Sequence, residues 1–227
     1  MNNIIIAIDG HSSCGKSTVA KALAQKLHYI YVDTGAMYRA ITFYCIKNNL
    51  YDNKGIVNVD LLKNSISQIN ITFKNSNGNF ENQETYLNGI NIEKEIRSLE
   101  VSSKVSEISK LKFVREYLVE LQREFGKTEN LVMDGRDIGT VVYPNARLKI
   151  FMTAQPEVRA KRRYNELMAK GESVSYEAIL ENVISRDYED SNRTESPLKQ
   201  APDALILDNS NLTREQQLDW ILNKLNA

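Results

Sequence analysis

The segment that most limits what this chain can fold into is Gly10–Thr18, whose sequence GHSSCGKST fits the pattern G-x-x-x-x-G-K-[ST]. A short β-branched run, Ile4–Ile8, precedes it, and a helical pattern that includes Val19, Leu23 and Leu27 follows it. Glycines allow a tight turn in which backbone N–H groups surround phosphate oxygens, and the helix N-terminus adds its dipole. The succession of strand, loop and helix therefore predicts a nucleoside triphosphate site.

Two side chains in this loop carry its predicted chemistry. Lys16 is expected to reach the β- and γ-phosphates, and the Ser17 hydroxyl is expected to ligate Mg²⁺. His11 and Cys14 occupy variable positions of the pattern, so we interpret them as loop residues rather than as a proton carrier and a nucleophile. The residues predicted to surround the ATP phosphates are Gly10, His11, Ser12, Ser13, Cys14, Gly15, Lys16, Ser17 and Thr18.

Short apolar runs recur along the chain, and helical patterns separate most of them. Such runs are typical of strands that are buried on both faces of a parallel sheet. The chain therefore predicts an α/β fold in which a five-stranded parallel sheet is flanked by helices. The predicted strands are Ile4–Ile8, Tyr29–Val32, Leu131–Met133, Leu148–Met152 and Ala204–Leu207.

One stretch departs from this α/β alternation. Ile69, Ile71 and Phe73 alternate with polar residues, and the dipeptides Asn77-Gly78 and Asn88-Gly89 favour tight hairpin turns. We therefore predict a small antiparallel β-subdomain inserted at about residues 60–97.

Helix patterns and end signals occupy much of the remainder. Apolar residues at helical spacing between Val101 and Phe125 predict one long helix or two in series, with Gly126 as a cap at the end. Thr213 and Gln216 form a capping box ahead of the last predicted helix.

Charge and cysteine usage limit the classes of partner. Lys plus Arg and Asp plus Glu both number 29, so no global field is available to hold a nucleic acid. Cys14 and Cys45 match no disulfide or zinc-ligand spacing, and no apolar run is long enough for a signal peptide or a membrane span. We expect a single domain, residues 1–227, in a soluble cytoplasmic monomer that contacts neither nucleic acid nor membrane.

Three polar clusters follow predicted strands or lie on a predicted helix, and they indicate an acceptor site. Asp33–Arg39 and Asp134–Asp137 lie just beyond the carboxyl ends of strands, where open α/β sheets bind ligands. In the third cluster, Arg186 and Asp190 are spaced to share a helix face, with Arg193 about one turn further on. Such a run alone is typical of a solvated, ion-paired helix face, but the first two clusters favour a binding role.

These segments resemble the bacterial-type cytidylate kinases of the P-loop nucleoside monophosphate kinase superfamily, over nearly the whole chain. The phosphate loop is common to many families, whereas DTGAMYR, DGRDIGT and RDYEDSNR together are highly specific. The resemblance extends to the NGNF, YLNGINI and IRSLEVSSKVS pieces. One departure is visible, because the family loop usually begins Gly-Pro where this chain has Gly10-His11.

The resemblance implies roles for residues at the acceptor end. Arg39 and Arg136 would grip the acceptor phosphate, since guanidinium groups bind phosphate oxygens bidentately. Asp137 would accept from the cytosine amino group, while Arg115 would donate to the ring N3 and O2, so uracil should be rejected. The remaining residues implied in CMP binding are Thr34 and Ser106, together with Arg186, Asp190 and Arg193 around the sugar and phosphate.

A helix that starts at Pro156 resembles the lid of the same family, and we place the lid at residues 155–190. Arg159, Arg162 and Arg163 are spaced to share one face of that helix, and Gly171 would end it. The resemblance implies that Arg159 and Arg163 contact the triphosphate when the lid closes. Arg162 joins Lys16, Arg39 and Arg136 as an expected catalytic residue.

The implied reaction is in-line transfer of the γ-phosphoryl group of ATP to CMP or dCMP, with Mg²⁺ as the metal. Asp33 and Asp134 are both candidates for holding the Mg²⁺-bound waters. Two alternatives are a P-loop kinase for another acceptor, such as AMP, UMP or shikimate, and a GTP-binding switch. The switch is disfavoured because the tetrad Asn-Lys-x-Asp is absent.

Overall fold

The computed structural model describes residues 3–75, 83–169 and 171–225. The described strands are β1 (Ile5–Gly10), β2 (Ile30–Asp33), β3 (Ile71–Asn75), β4 (Gln83–Leu87), β5 (Ile90–Asn91), β6 (Leu131–Gly135), β7 (Leu148–Thr153) and β8 (Leu205–Asp208). The described α-helices are α1 (Lys16–Leu27), α2 (Thr34–Lys47), α3 (Val59–Ser65), α4 (Leu99–Lys110), α5 (Lys112–Thr128), α6 (Pro156–Ala169), α7 (Tyr176–Asn192) and α8 (Arg214–Leu225).

Five strands form the central sheet in the order β2-β6-β1-β7-β8, and every pairing is parallel. The predicted five-stranded parallel sheet is therefore confirmed. Its register places Asp33 opposite Asp134, and Asp9 opposite Gly135, so the acidic ends of neighbouring strands lie side by side.

The two faces of this sheet bury separate apolar clusters. Ala7 of β1 belongs to a cluster with residues of α2, α4 and α5. Its neighbours Ile6 and Ile8 belong to a second cluster, with Leu23 of α1 and Ile221 of α8. Because successive strand residues point to opposite faces, the uninterrupted apolar run of β1 reflects burial on both sides.

The departure from the α/β pattern forms a separate three-stranded antiparallel sheet, in the order β3-β4-β5. Asn88 and Gly89 connect β4 to β5 with φ values of 49° and 82°, as the hairpin pattern predicts. The other predicted turn, Asn77-Gly78, lies outside the described residues, as does the NGNF piece. Ile71 and Leu87 of this sheet are buried in the same cluster as residues of α2, so the small sheet packs on that face of the central sheet.

The long helical pattern forms two helices in series, because Leu111 leaves helical geometry between α4 and α5. The prediction that Gly126 caps this segment is wrong, since α5 continues to Thr128. Gly126 is instead a site of close packing. A Cβ there would lie 2.6 Å from the Tyr143 Oη and 2.8 Å from the Ile5 Cδ1.

Other helix ends follow the predicted signals. Pro156 opens α6, and Gly171, at φ 80°, donates its N–H to the Met168 carbonyl at 3.0 Å. Thr213 and Gln216 exchange the two hydrogen bonds of a capping box before α8. In the described part of the chain, none of the helices has the length and apolar character needed to span a bilayer.

Candidate active site

The candidate site lies at the carboxyl edge of the central sheet, around β1, which is flanked by β6 and β7. Ligands of open α/β sheets bind in the crevice beyond the strand ends. A cavity of about 420 Å³ opens there, and its walls come from the phosphate loop, the ends of β2 and β6, and helices α2, α4, α5, α6 and α7.

The phosphate loop is shaped by close backbone contacts. A Cβ on Gly10 would lie 2.0 Å from the carbonyl oxygen of Met152, so only glycine fits beside β7 at that point. Gly15 adopts φ 88°, a conformation that helps turn successive N–H groups toward one centre. The Lys16 Nζ donates to the His11 carbonyl at 2.6 Å, and burial, with a contribution from Arg136, lowers the pKa of Lys16.

Asn209 and Arg159 hold this loop in place through hydrogen bonds to its carbonyl groups. The Asn209 Nδ2 donates to the Cys14 carbonyl at 2.7 Å. Arg159, which is 2% exposed, donates to the Ser12 carbonyl at 3.2 Å and to both carboxylate oxygens of Asp187 on α7. The loop therefore joins α6 and α7 to the central sheet.

Beside Lys16, the carboxylate of Asp134 receives two hydroxyl groups. Ser17 Oγ donates to one oxygen at 3.0 Å, and Tyr31 Oη donates to the other at 2.6 Å. Burial, followed by the neighbouring charge of Asp33, raises the pKa of Asp134. A carboxylate in such a position gains from a nearby cation.

Asp33, at the end of β2, pairs with two arginines, one from α2 and one from the short turn before α4. One of its oxygens accepts the Ala36 N–H at 2.9 Å and so caps α2. The other accepts from Arg39 at 3.0 Å and from Arg97 at 3.1 Å. Burial alone would raise the pKa of Asp33, but the two guanidinium groups outweigh it and hold the pKa below its ordinary value.

A second carboxylate, Asp190 of α7, holds the arginines on the opposite wall. Arg136 donates Nε to Asp190 Oδ2 at 2.7 Å, and the Arg193 NH1 lies 3.6 Å from the other oxygen. Arg186 also lines this wall, and among the described residues it makes no hydrogen bond or ion pair. The wall therefore carries more cationic than anionic groups.

Arg115 and Asp137, which also line the cavity, form a buried pair with an N–O distance of 2.5 Å. Arg115 also donates to the Ser109 carbonyl at 3.0 Å and lies over the Tyr38 ring, 5.3 Å from its centre. Its Nε is buried and has no hydrogen-bond partner among the residues that the structure describes. Because buried donors are normally satisfied, this orphaned N–H marks a place where a ligand acceptor fits.

The fold and the site define a class of protein. A parallel sheet whose central strand ends in a glycine-rich phosphate loop, facing several arginines across one cavity, is the arrangement of a P-loop kinase. Shikimate kinase from Bacteroides thetaiotaomicron shares the fold, with a TM-score of 0.50, 14% identity and coverage of 99% of both chains. An uncharacterized protein from Eubacterium ventriosum ATCC 27560 shares it with a TM-score of 0.53, at 14% identity, covering 99% of this chain and 98% of that one.

Sequence comparison narrows the class to a family. The family model described as cytidylate kinase matches residues 6–227, and the chain belongs to that family. A cytidylate kinase from Parabacteroides distasonis is 58% identical over 98% of this chain and 96% of its own length. The corresponding protein from Bacteroides thetaiotaomicron is 57% identical over 97% and 96%, and the one from Flavobacterium johnsoniae is 52% identical over 100% and 97%.

The cavity brings together most of the residues that the sequence predicts for it. Those that line it are Ser12, Ser13, Lys16, Ser17, Asp33, Thr34, Arg39, Ser106, Arg115, Asp134, Arg136, Asp137, Arg163, Arg186, Asp190 and Arg193. Gly10, His11, Cys14, Gly15 and Thr18 belong to the loop but do not line the cavity.

The three arginines of the predicted lid helix point to different partners rather than to one centre. Arg159 is committed to Ser12 and Asp187. Arg162 donates to the side chain and the carbonyl of Asn209 at 3.0 and 2.8 Å. Arg163 alone lines the cavity. In this conformation, Arg162 thus braces the loop after β8 instead of reaching the phosphate site.

Some residues that line or support the cavity were not predicted from the sequence. Arg97 sits in the short helical turn Glu95–Arg97 before α4, and no spacing rule singles out one arginine there. Tyr38 supports Arg115 from below, and Ser102 and Ser109 line the same face of α4 as Ser106. The helical spacing of these serines was a usable signal.

Proposed function

We propose that the protein transfers the γ-phosphoryl group of ATP to CMP or dCMP, giving CDP or dCDP and ADP, within pyrimidine nucleotide metabolism. One observation carries this proposal: the buried Arg115–Asp137 pair shares a cavity with Lys16 of the phosphate loop. A triphosphate site and a polar pocket suited to a base therefore open into one cavity of nucleotide-scale volume, about 420 Å³.

The acceptor phosphate would lie among Arg39, Arg136 and Arg186. Arg39 and Arg136 are held in place by Asp33 and Asp190, whereas Arg186 has no ion-pair partner among the described residues. A phosphate entering this space would offset the crowded positive charge, and the cations would offset the repulsion between the two nucleotides. Since the acceptor is already an anion, the chemical step requires positioning and charge stabilisation rather than a strong general base.

The base would bind at the Arg115–Asp137 pair. Asp137 would accept from the cytosine amino group, and the Arg115 Nε, which has no hydrogen-bond partner in the described part of the chain, would donate to a ring acceptor. Ser106 and Thr34 would add hydroxyl contacts, and Asp190 with Arg193 would lie near the sugar. Uracil presents a carbonyl in place of the amino group, so it would leave Asp137 facing another acceptor.

The residues present also fit a Mg²⁺ ion, because the Ser17 hydroxyl and neighbouring carboxylates supply the oxygen ligands that this ion prefers. A bound Mg²⁺ would offset phosphate charge in the transferring group. We propose that Asp134 accepts hydrogen bonds from the waters bound to Mg²⁺, because Asp134 contacts Ser17 directly. The Asp33 oxygens are already engaged by the α2 backbone and by two arginines.

Three further parts of the proposal concern the insert, the lid and the cellular setting. We propose that residues 60–97 act as the acceptor-binding subdomain, and that residues 155–190 form a lid from which Arg159, Arg162 and Arg163 serve the triphosphate. We also propose that the protein acts as a monomer. ATP and CMP as substrates support a cytoplasmic location.

The direct test is an acceptor panel with ATP and Mg²⁺, in which CMP, dCMP, UMP and AMP are compared by kcat/KM. We expect kcat/KM for CMP and dCMP to exceed that for UMP by about 100-fold, because a buried polar group left unpaired costs up to about 3 kcal/mol. An Asp137→Asn variant should narrow the gap between CMP and UMP. Faster turnover of UMP or AMP by the wild type would overturn the cytosine assignment.

A further inference from the structure

Asp9 is a buried carboxylate that none of the roles above uses. It is the last residue before Gly10 and is 5% exposed. Its Oδ1 accepts the Ile138 N–H at 2.7 Å, and its Oδ2 accepts the Gly139 N–H at 2.7 Å. These N–H groups directly follow Asp137. The Asp9 side chain therefore connects the start of the phosphate loop, Gly10–Thr18, to the turn that carries Asp137.

The turn that Asp9 holds has an uncommon geometry. Ile138–Val142 is π-helical, with Val142 N–H bonded to the Asp137 carbonyl at 3.2 Å and Tyr143 N–H bonded to the Ile138 carbonyl at 2.7 Å. The first N–H groups of any helical turn lack partners within it, so this turn depends on an external acceptor for its first N–H groups. Short π-helical turns are rare and occur often at functional sites.

The surroundings of Asp9 explain why an ionised carboxylate at this position is costly. Burial raises its pKa to about 6, and the charge of Asp137 adds to that effect, while the two N–H groups and Lys16 oppose it. Lys149 packs against Gly139 from β7, but its ammonium is engaged in an ion pair elsewhere. A buried charge that is unfavourable to the folded state is more readily explained by function than by stability.

We propose that Asp9 is a positioning residue that sets the distance and orientation between the donor loop and the base-binding carboxylate of Asp137. The inference rests on the proposed function, which gives Asp137 its contact with cytosine. Asp9 does not line the cavity, so it acts through Ile138 and Gly139 rather than on either nucleotide. In-line transfer is sensitive to such placement, because a shift of about 1 Å can cost about 100-fold in rate.

The test uses Asp9→Asn, which preserves size but turns one of the two acceptor oxygens into a donor. We expect the KM for CMP to rise on the order of tenfold, because a displaced Asp137 would lose most of one buried hydrogen bond to the cytosine. The ratio of kcat/KM for CMP to that for UMP should fall by about as much, while the KM for ATP changes less than about threefold. Asp219→Asn, on the exposed face of α8, is the matched control and should behave as the wild type.

Gly139→Ala tests the same contact from the other side. Its methyl group would lie 3.3 Å from Asp9 Oδ2 and 3.1 Å from the Lys149 Cδ, so the turn and these side chains must move apart by a few tenths of an ångström while the carboxylate remains. We expect the same pattern with smaller changes. If Asp9→Asn fails to fold by circular dichroism, this variant decides the question.

Two outcomes would overturn the role of Asp9. One is an unchanged KM for CMP together with an unchanged CMP-to-UMP ratio in a folded variant, and the other is an equal rise in the KM values of CMP and ATP. A wild-type enzyme without preference for CMP over UMP would instead overturn the proposed function. In that case, a larger rise in the KM for the acceptor than in the KM for ATP in Asp9→Asn would still test the role of Asp9.

Discussion

The two ends of the cavity are built differently. The donor end is a continuous loop, Gly10–Thr18, whose shape depends on backbone contacts such as the approach of Gly10 to Met152. The acceptor end is assembled from side chains of separate segments, in which Asp33 and Asp190 each hold two arginines. The donor end should therefore tolerate side-chain changes at positions that supply only backbone, whereas the acceptor end depends on its side chains.

The difference also concerns charge in the absence of nucleotide. Lys16 is held by a neutral carbonyl, so its positive charge is not neutralised by that contact. Arg39 and Arg136 are paired with carboxylates, which keep these guanidinium groups in place before the substrate arrives. An acceptor phosphate must share them with Asp33 and Asp190.

Lys16 is the one residue of the donor end whose side chain we expect to be essential. Among single substitutions at either end of the cavity, its replacement should lower kcat the most. We expect Lys16→Met to lower kcat by about 1,000-fold, because the lysine charge stabilises the transferring phosphoryl group. The melting temperature should hold or rise, since a buried charge that burial disfavours has been removed. Steady-state kinetics and thermal unfolding measure the two effects, with Lys26→Met on the exposed surface of α1 as control. A loss of less than about tenfold would contradict the donor role.

Arg136 tests the side-chain character of the acceptor end. We expect Arg136→Met to lower kcat/KM for CMP by about 100-fold, because a charge-assisted contact with the acceptor phosphate is lost. Asp190 keeps Arg193 nearby, so the fold should survive, as circular dichroism can verify. Arg214→Met, at the exposed start of α8, is the control. If rates are unchanged, Arg136 does not grip the phosphate.

The same contrast explains which features could be predicted from sequence. The donor loop is contiguous, and its flanking strand and helix are visible in the local pattern, so its position was predictable. The capping glycine at residue 126 was predicted wrongly because the packing of Tyr143 and Ile5 that demands glycine comes from distant segments. Likewise, the contact between Asp9 and Ile138 joins residues 129 positions apart, and no local pattern reports it.

The acceptor residues could be predicted from the sequence only in part. Single clusters such as DTGAMYR and DGRDIGT could be placed at the carboxyl edge because parallel strands end there together. Their pairing could not be predicted, since Arg136 on one segment meets Asp190 on another only after α7 packs over the sheet. Arg97 was missed for the same reason, because its partner Asp33 lies 64 positions away.

Asp187 offers a smaller, pH-dependent test of the bracing behind the donor loop. Burial raises its pKa, but the nearby His11 and the hydrogen bonds from Arg159 lower it to about 2. A lowered folded-state pKa contributes stability above the unfolded value near 4, and that contribution is lost as the pH falls toward about 2. The side chain is partly solvated, so we expect it to contribute at most about 1 kcal/mol to the free energy of unfolding.

Chemical unfolding of the wild type and Asp187→Asn at pH 6, 4 and 2.5 would measure this contribution. The difference in free energy of unfolding should be greatest at pH 6 and shrink as the pH falls. A constant difference across the range would mean that the bracing does not depend on the carboxylate charge.

His11 should give the smallest effect, and its replacement tests whether the phosphate loop depends on the side chain at this variable position. Its Nδ1 lies 3.3 Å from Asp187 Oδ1, whereas its carbonyl oxygen, which accepts from Lys16, is present in any residue. We expect His11→Pro, which restores the Gly-Pro start usual in the family, to keep kcat within about twofold, because Arg159 still holds Asp187 and partly exposed ion pairs contribute little. The melting temperature should change by no more than about 2 °C. A tenfold loss of kcat would instead show that the histidine contact with α7 positions the loop, and the donor end would then depend on side chains as the acceptor end does.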